Sequence, residues 1–320
     1  MDDANELAVA NLVKTNLRPE FIVTVGDNHY NGATALDRDI GKYFHDFIGN
    51  YRGTYGAGAS SNRFFPAIGN HDYSAPGGYS NHLSYFTLPG NERYYDVRRG
   101  PVHLFVINSE VNEPDGTGAN SVQARWLSNR LATATAPWKL VFGHDPPYSS
   151  SAHAASRMRW PFRAWGATAV FSGSAHHYER LSRNGLPCFV NGAGGAALLG
   201  FDSPTEGSLV RYNSRHGCML VTATESRVTF EFYSVAGGGT RIDSLELSGR
   251  PELGIRRNTN TVRIAWSTNV PPEFRLEETS RPQTSNSWNV SSAAATVSGT
   301  QRIVHVPLNP SNRFFRLKKP

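Results

Sequence analysis

The feature that most constrains the fold of this 320-residue chain is a repeated pattern in which a short apolar run ends in a polar loop. Four stretches follow it, and each loop is rich in Asp, Asn, His or Gly: FFPAIGNHD, HLFVINSE, WKLVFGHDPP and TAVFSGSAHH. An earlier run, FIVTV, predicts a buried strand that ends at Gly26. In α/β sheets, rigid strands aim side chains from several loops into one crevice. The pattern therefore predicts an α/β domain whose polar loops converge.

The rest of this domain alternates helical and strand patterns. Near the N-terminus, ELAVANLVKTNL predicts a helix. From about residue 185 to residue 247 the chain is strand-rich, with CFVNGAGGAAL, CMLVTAT, VTFEFYSV and IDSLEL separated by Gly and Ser turns. This spacing predicts a second sheet in the same domain.

The C-terminal part of the chain follows a different pattern. A break at SGRPELG precedes strict alternation in TVRIAWS, where Val262, Ile264 and Trp266 share one face. IVHVPL and RFFRL alternate in the same way, which is typical of a small antiparallel β-sandwich. We therefore predict two domains, residues 1–247 and residues 251–320.

The charge of the chain suits an anionic small molecule better than nucleic acid. The formal net charge is +6, with 32 Lys and Arg scattered among 26 Asp and Glu, and only the terminal RFFRLKKP forms a basic cluster. A basic balance of this kind also describes soluble enzymes that act on anionic substrates. We expect a small phosphate ester as substrate and no nucleic acid as partner.

Neither a membrane span nor a disulfide scaffold is expected. No stretch reaches the ~18–20 apolar residues of a transmembrane helix, and MDDANELAVANLVK predicts the start of a helix rather than a signal peptide. Cys188 and Cys218 are too few for a scaffold and lack the spacing of a zinc site. We predict that both are buried in strands, with a single bridge between them as the alternative.

Three of the loops carry residues that can bind a metal or a phosphate ester. In GDNHY, Asp27 can bridge two hard cations and Tyr30 can add a phenolate oxygen. In GNHD, Asn70 offers a carbonyl oxygen and His71 an imidazole that can donate to a substrate oxygen, while His144 follows a strand in VFGHDPPYSS. Each residue alone also fits a structural role, because loop Asp and His residues often only cap turns or form hydrogen bonds.

Taken together and in this order, the loops resemble the calcineurin-like metallophosphoesterases, and within them the purple acid phosphatase-like branch. That branch has the ordered blocks DxG, GDxxY, GNHD or GNHE, VxxH and GHxH. Here GDNHY matches the second block, GNHD the third and VFGH the fourth. The resemblance covers about residues 5 to 247 and implies a four-layer α/β/β/α sandwich, followed here by the small all-β domain.

The resemblance also implies a binuclear metal centre, with Fe³⁺ beside a divalent Fe²⁺, Zn²⁺ or Mn²⁺ ion. Asp27 would bridge the two metals, and Tyr30 and His176 would bind the iron. Asn70 and His144 would hold the divalent ion.

Two histidines match positions that the family places near the substrate phosphate. They are His71 and His153, of which one would orient the phosphate and one would protonate the leaving alkoxide.

The chain departs from the family pattern in two blocks. The fifth block should be GHxH but is Gly173-Ser174-Ala175-His176, so the divalent ion loses an imidazole. We expect the adjacent His177 to point elsewhere rather than to replace it. The first block, DxG, is not found in this sequence, so we expect the domain to lack its first strand.

The resemblance implies a metal-dependent phosphoesterase that hydrolyses phosphate monoesters by a metal-activated hydroxide, with activity that the two departures could impair. The alternatives are a catalytically degenerate phosphate-binding or surface module, and a phosphodiesterase. The family's usual export implies a secreted or periplasmic location. The C-terminal domain resembles the small β-sandwich appendages of secreted bacterial enzymes and is expected to solubilise the protein or attach it to a surface.

Overall fold

The computed structural model describes residues 3–30, 35–74, 78–248, 253–267, 270, 274–283, 287–299, 301–308 and 312–318. The chain divides into two compact units. The first comprises residues 1–222 and 229–245, and the second comprises residues 223–228 and 246–320. The first unit has the predicted α/β fold, and antiparallel sheets form the C-terminal part of the chain.

A seven-stranded sheet forms the centre of the first unit. Its strands run in the order β3 (Tyr95–Arg99), β4 (Val102–Val106), β5 (Trp138–Phe142), β6 (Ala169–Ser172), β8 (Leu186–Asn191), β7 (Tyr178–Arg183) and β9 (Ser208–Tyr212). Strands β4, β5, β6 and β8 are parallel, whereas β3, β7 and β9 pair antiparallel at the two ends. The parallel strands are runs of apolar residues because both of their faces are buried.

One face of this sheet is covered by helix α5 (Val122–Thr133). Ser121 caps its N-terminus, because the hydroxyl accepts a hydrogen bond of 3.1 Å from the backbone N–H of Ala124. Ala124, Leu127 and Leu131 recur at helical spacing and pack into the same apolar cluster as Val141 of β5.

The opposite face packs against a second layer of strands. This layer contains a three-stranded sheet, β10 (Gly217–Ala223), β11 (Arg227–Ser234) and β12 (Thr240–Ser248), and a parallel pair, β1 (Ile22–Thr24) and β2 (Phe64–Pro66). The ring of Phe230 lies 5.7 Å from that of Phe171 and 5.2 Å from that of Phe189, so aromatic packing joins the two layers.

Helices cover the second layer on its outer side. Helix α1 (Asp3–Asn11) continues as a π-helical turn over Leu12–Leu17, and helix α2 (Lys42–Phe44) places the ring of Phe44 5.9 Å from that of Phe64 in β2. The short helices are α3 (Asn70–Ser74) and α4 (Ser80–Tyr85). The predicted four-layer α/β/β/α arrangement is therefore confirmed.

The prediction for FIVTV was right about the strand and wrong about its burial. All three residues of β1 are only half-buried. The reason is that β1 pairs with β2 alone among the described strands, and its other edge borders a cavity of about 190 Å³. Residues of α1 and β10, including Val9 and Cys218, line the same cavity.

The second unit has its own apolar core between two antiparallel sheets. One sheet has the order β13 (Gly254–Arg257), β14 (Thr261–Ser267), β18 (Gln301–Pro307) and β17 (Thr296–Ser298), and the other β16 (Asn289–Val290), β15 (Arg275–Thr279) and β19 (Phe314–Lys318). Ile264 and Trp266 pack with Leu276 of the other sheet, and Val262 packs against this cluster. The predicted alternation in TVRIAWS is thus confirmed.

Two further expectations concern cysteines and membrane spans. Cys188 in β8 is buried and Cys218 in β10 is half-buried, and both thiols are free, so the bridge alternative is wrong. In the described part of the chain, no helix has the length and apolar character needed to cross a bilayer.

The predicted boundary between residues 1–247 and residues 251–320 remains to be tested, because residues 249–252 lie outside the described residues. We expect limited digestion with a broad-specificity protease to cut first near residues 248–253, since exposed linkers are preferred cleavage sites. Mass spectrometry of the fragments identifies the cut. First cleavage elsewhere, or simultaneous loss of both fragments, would argue against two domains.

The buried His82 in α4 predicts a loss of stability in acid. Neither ring nitrogen of His82 has a hydrogen-bond partner among the residues that the structure describes. Burial, followed by the nearby His29, lowers the pKa of His82 to about 3. An unfolded histidine titrates near 6.5, so the unfolded state binds a proton that the folded state rejects as the pH falls below about 6.5. The free energy of unfolding therefore falls as the pH drops below about 6.5. His82→Leu should remove up to about 1.4 kcal/mol per pH unit of this decrease.

Urea unfolding at several values between about pH 7.5 and pH 5 measures this slope. The free energy of unfolding, plotted against pH, should have a different slope in the two proteins only below about pH 6.5. Parallel curves for His82→Leu and the unsubstituted chain over the whole range would contradict the assignment of a neutral buried His82.

Candidate metal centre

Four loops that follow strand ends meet at one place in the first unit. Asp27 follows β1, Asn70 follows β2, His144 follows β5 and Ser174 follows β6. The backbone N–H of Gly173 donates a hydrogen bond of 2.8 Å to the carbonyl of His144, which joins two of these loops. The structure thus brings together residues that are far apart in the sequence.

Asp27 lies at the centre of this group. Its backbone adopts a left-handed conformation, with φ of 54°, which turns the carboxylate towards the neighbouring loops. One carboxylate oxygen, Oδ1, accepts a hydrogen bond of 2.9 Å from the backbone N–H of His71. The other, Oδ2, lies 3.4 Å from Nε2 of His144.

His144 directs its second ring nitrogen at two oxygen atoms. Nδ1 lies 2.8 Å from the carbonyl oxygen of Val25, and because a carbonyl only accepts, Nδ1 carries a proton. Nε2 then faces Oδ1 of Asn70 at 3.0 Å and Oδ2 of Asp27. A neutral imidazole would therefore place three lone-pair atoms against one another.

The electrostatics of His144 favour a cation at this point. Burial lowers the pKa of His144, but the Asp27 carboxylate and the hydrogen bond to Val25 outweigh it, and the net pKa is raised. A proton on Nε2 or a metal ion would relieve the contact between the three acceptors. A histidine whose other nitrogen donates to a backbone carbonyl is the usual arrangement of a metal ligand.

A second pair of candidate ligands lies beside Asp27. The hydroxyl of Tyr30 is 3.3 Å from Nε2 of His176, and Nδ1 of His176 lies 2.9 Å from the carbonyl oxygen of Ala197. Burial lowers the pKa of His176, so its imidazole is held in the neutral form that binds metals. Burial, and then the Asp27 charge, raises the pKa of Tyr30, so its phenol stays protonated unless a cation is present.

The two proposed substrate histidines lie at the edge of this group. The ring of His71 is 4.2 Å from that of Tyr30 between centroids. His153 is exposed, and its Nδ1 lies 3.3 Å from the hydroxyl of Ser174. Ser174 also has left-handed backbone, with φ of 60°. His153 thus joins the group through Ser174. The metal-binding and catalytic roles of all these residues remain predictions.

His177 is directed away from the candidate ligands. Its side chain is fully buried, with Nε2 3.4 Å from Ser149 Oγ and 3.9 Å from a Glu179 carboxylate oxygen. Its ring lies 4.1 Å from that of Phe201. Burial lowers the pKa of His177 to about 4, so the residue is a neutral part of the core.

Asp72 fixes two of the site loops to each other. Its buried carboxylate accepts hydrogen bonds from the backbone N–H of Gly69 at 2.8 Å and from the side-chain amide of Asn28 at 3.1 Å. Asn28 follows Asp27, and Gly69 precedes Asn70. The Asp of GNHD thus holds the first two loops in register.

Sequence reasoning missed two acids beside His144. Ligand atoms of Glu110, His144 and Asp145 all lie within 4.8 Å of one another. Burial, and then the charge of Asp145, raises the pKa of Glu110 to about 7. HLFVINSE was recognised as one of the converging loops, but nothing in its spacing indicated which side chain would reach His144.

Known protein families and proteins resemble this chain in sequence. The sequence family described as calcineurin-like phosphoesterase matches residues 3–178. The chain is 26% identical over 222 residues to tartrate-resistant acid phosphatase type 5 of Mus musculus, covering 60% of this chain and 65% of that protein. It is 27% identical over 225 residues to the Sus scrofa protein of the same name, covering 60% of this chain and 63% of that protein. The chain therefore spans a little under two thirds of the length of these relatives.

Solved structures show the same fold. The purple acid phosphatase PPD1 from yellow lupin (Lupinus luteus) superposes with a TM-score of 0.61 at 18% identity, covering 76% of this chain and 49% of that chain. GAP50, the anchor in the inner membrane complex of Plasmodium, gives a TM-score of 0.59 at 17% identity, covering 78% of this chain and 85% of that chain. At such low identity these likenesses establish the fold alone.

The close approach of the loops depends on Gly69. A Cβ atom there would lie 2.3 Å from Oδ1 of Asp27 and 2.4 Å from its backbone nitrogen, so the loop would have to shift. We expect Gly69→Ala to destabilise the protein by about 1–3 kcal/mol, as overpacking does. We also expect at least about tenfold weaker Mn²⁺ binding in calorimetric titration.

Gly118→Ala is the matched control, because a Cβ there meets no described heavy atom within 4 Å. It should bind Mn²⁺ like the unsubstituted chain. Equal Mn²⁺ affinity in the two alanine variants would show that the approach at Gly69 does not matter for the site.

Proposed function

The chain belongs to the calcineurin-like phosphoesterase family, in its purple acid phosphatase-like branch, and from this premise we propose that it is a metal-dependent hydrolase of phosphate monoesters. The observation that carries the proposal is the convergence of Asp27, Asn70 and His144 on a point where a bound cation would contact all three. Relatives named as acid phosphatases support the choice of a monoester.

The residues present fit a two-metal centre in their chemistry. Asn70 and His144 would hold a divalent ion, Tyr30 and His176 would hold Fe³⁺, and Asp27 would bridge the two. When bound, such ions supply positive charge for the phosphoryl oxygens and lower the pKa of a water molecule. Carboxylate, phenol, amide and imidazole donors are suited to this pair of ions.

The remaining site residues would act on the substrate rather than on the metals. His71 is held by its backbone hydrogen bond to Asp27 and by its contact with the Tyr30 ring, which would orient its imidazole towards a phosphate oxygen. His153 is exposed and would protonate the leaving alkoxide. As a further part of the proposal, the protein would be secreted or periplasmic, as its resemblance to the purple acid phosphatase-like branch implies.

A second candidate function is a phosphate-binding module that has lost catalysis. The observation that favours it is Ser174, whose neutral hydroxyl contacts His153 where the family pattern has an imidazole. Metal analysis by mass spectrometry and hydrolysis of p-nitrophenyl phosphate separate the two candidates. Hydrolysis that a chelator abolishes supports the enzyme, whereas phosphate binding without turnover supports the module. Bis(p-nitrophenyl) phosphate tests the diesterase alternative in the same assay.

We expect Asp27→Asn to abolish hydrolysis of p-nitrophenyl phosphate and to weaken metal binding at least about 100-fold, because an amide cannot carry the charge of a bridging carboxylate. The control is Asp46→Asn, a surface acid paired with Lys14. Undiminished metal content and turnover in Asp27→Asn would remove the basis of the proposal.

The adjacent histidines give a second test, since only one faces the candidate ligands. His176→Ala should lower the iron content of the protein, whereas His177→Ala should keep the iron and lower the melting temperature, because it opens a cavity beside Glu179. Iron is measured by mass spectrometry on both purified proteins. Iron loss confined to His177→Ala would reverse the assignment.

A further inference from the structure

We propose that Glu110 is a ligand of the divalent metal ion beside His144 and supplies the donor that Ser174 lacks. This inference rests on the proposed function, because it adds a residue to that metal centre. Glu110 lies in the loop after β4, outside every block of the family pattern.

The loop holds Glu110 in a fixed place. The backbone N–H of Glu110 donates to Oδ1 of Asn108 at 3.1 Å, which closes the turn. Asn108 is itself held by Gln123, whose side chain accepts from the Asn108 N–H at 2.7 Å and donates to its carbonyl at 2.9 Å. These hydrogen bonds fix the backbone of Glu110. Its carboxylate takes no part in them, so it is available to a ligand.

One oxygen of the buried Glu110 carboxylate is unsatisfied among the described residues. Only 7% of the residue is exposed, and Oε1 has no hydrogen-bond partner in the described part of the chain. Buried polar atoms without a partner are rare, because the desolvation cost is not recovered. A cation at this carboxylate would recover it.

Asp145 differs from Glu110 in already having a cationic partner. The Arg157 guanidinium forms an ion pair with Asp145 and also donates to the carbonyl of Ser109 at 3.1 Å. Among the described residues, Glu110 forms no ion pair at salt-bridge distance. The carboxyl group that is free to bind an ion is thus that of Glu110, whereas Asp145 can remain with Arg157.

The spacing suits one shared ion. Ligand atoms of Glu110 and His144 lie within 4.8 Å of each other, and two donors of one divalent ion are commonly up to about 4–5 Å apart. His144 also faces Asn70 at 3.0 Å, so the same imidazole belongs to both groups. The His144 imidazole thus links the Glu110 carboxylate to the proposed divalent site.

The exchange of an imidazole for a carboxylate changes which metal the site prefers. Ser174 offers a neutral hydroxyl that contacts His153, whereas Glu110 offers a charged oxygen. Oxygen donors suit Mn²⁺ better than an imidazole-rich set, which suits Zn²⁺. We therefore expect the site to favour Mn²⁺ over Zn²⁺ more strongly than the variant Ser174→His does.

The experiment is calorimetric titration of the full chain with Mn²⁺, and separately with Zn²⁺, on the unsubstituted protein, Glu110→Gln, Ser174→His and the double variant. Glu110→Gln should bind Mn²⁺ at least about tenfold more weakly. Its metal-free melting temperature should be unchanged or higher, because Oε1 of Glu110 has no hydrogen bond among the described residues to lose. Ser174→His should restore binding in the Glu110→Gln background. The control Glu206→Gln changes an acid whose side chain is 89% exposed and should bind like the unsubstituted chain.

Unchanged Mn²⁺ affinity in Glu110→Gln would overturn the inference, as would weaker binding accompanied by a lower metal-free melting temperature. Absence of Mn²⁺ binding by the unsubstituted chain would overturn it too. Hydrolysis of p-nitrophenyl phosphate is measured in parallel and tests the proposed function separately. Glu110-dependent Mn²⁺ binding without turnover would support the inference about Glu110 and contradict the proposed hydrolase function. Turnover with no effect of Glu110→Gln on Mn²⁺ binding would support the hydrolase and contradict the inference about Glu110.

Discussion

The structure of the site depends on one contact, in which Nε2 of His144 faces Oδ1 of Asn70 and Oδ2 of Asp27. Three acceptors cannot satisfy one another, so this contact requires a positive charge between them. The surrounding chain is built to permit it. Gly69 allows Asp27 to approach the second loop, and Asp72 fixes that loop to the first. A proton on Nε2 or a bound cation would therefore stabilise this arrangement.

Backbone carbonyls set the orientation of the two candidate imidazole ligands. Val25 holds Nδ1 of His144 and Ala197 holds Nδ1 of His176, which leaves Nε2 of each ring directed inward. This tautomer is what a metal ligand needs, and backbone carbonyls impose it rather than side chains. At Ser174 the family pattern has a third imidazole, and this chain has a hydroxyl instead. The carboxylate of Glu110 comes from a separate loop, so it could change without disturbing the orientation of either imidazole.

The sequence predicted the order of the loops and most of the candidate residues, because the polar residues directly follow apolar runs. It also predicted that His176 and His177 face different ways, since neighbours on an extended turn point to opposite sides. The half-burial of β1 could not be predicted, because it depends on which strands pair along each edge. Glu110 could not be predicted either. Its place beside His144 depends on how β4 and β5 align in the sheet and on the turn at Asn108, and neither is encoded in local spacing.

The central claim is that a divalent cation occupies the point between these acceptors. Anomalous X-ray diffraction at the manganese edge, on crystals grown with Mn²⁺, tests it most directly. The account predicts an anomalous peak within coordination distance of Nε2 of His144 and Oδ1 of Asn70, at about 2–2.5 Å from each. Density that shows a hydrogen bond between these two atoms, with no anomalous peak at the site, would contradict it.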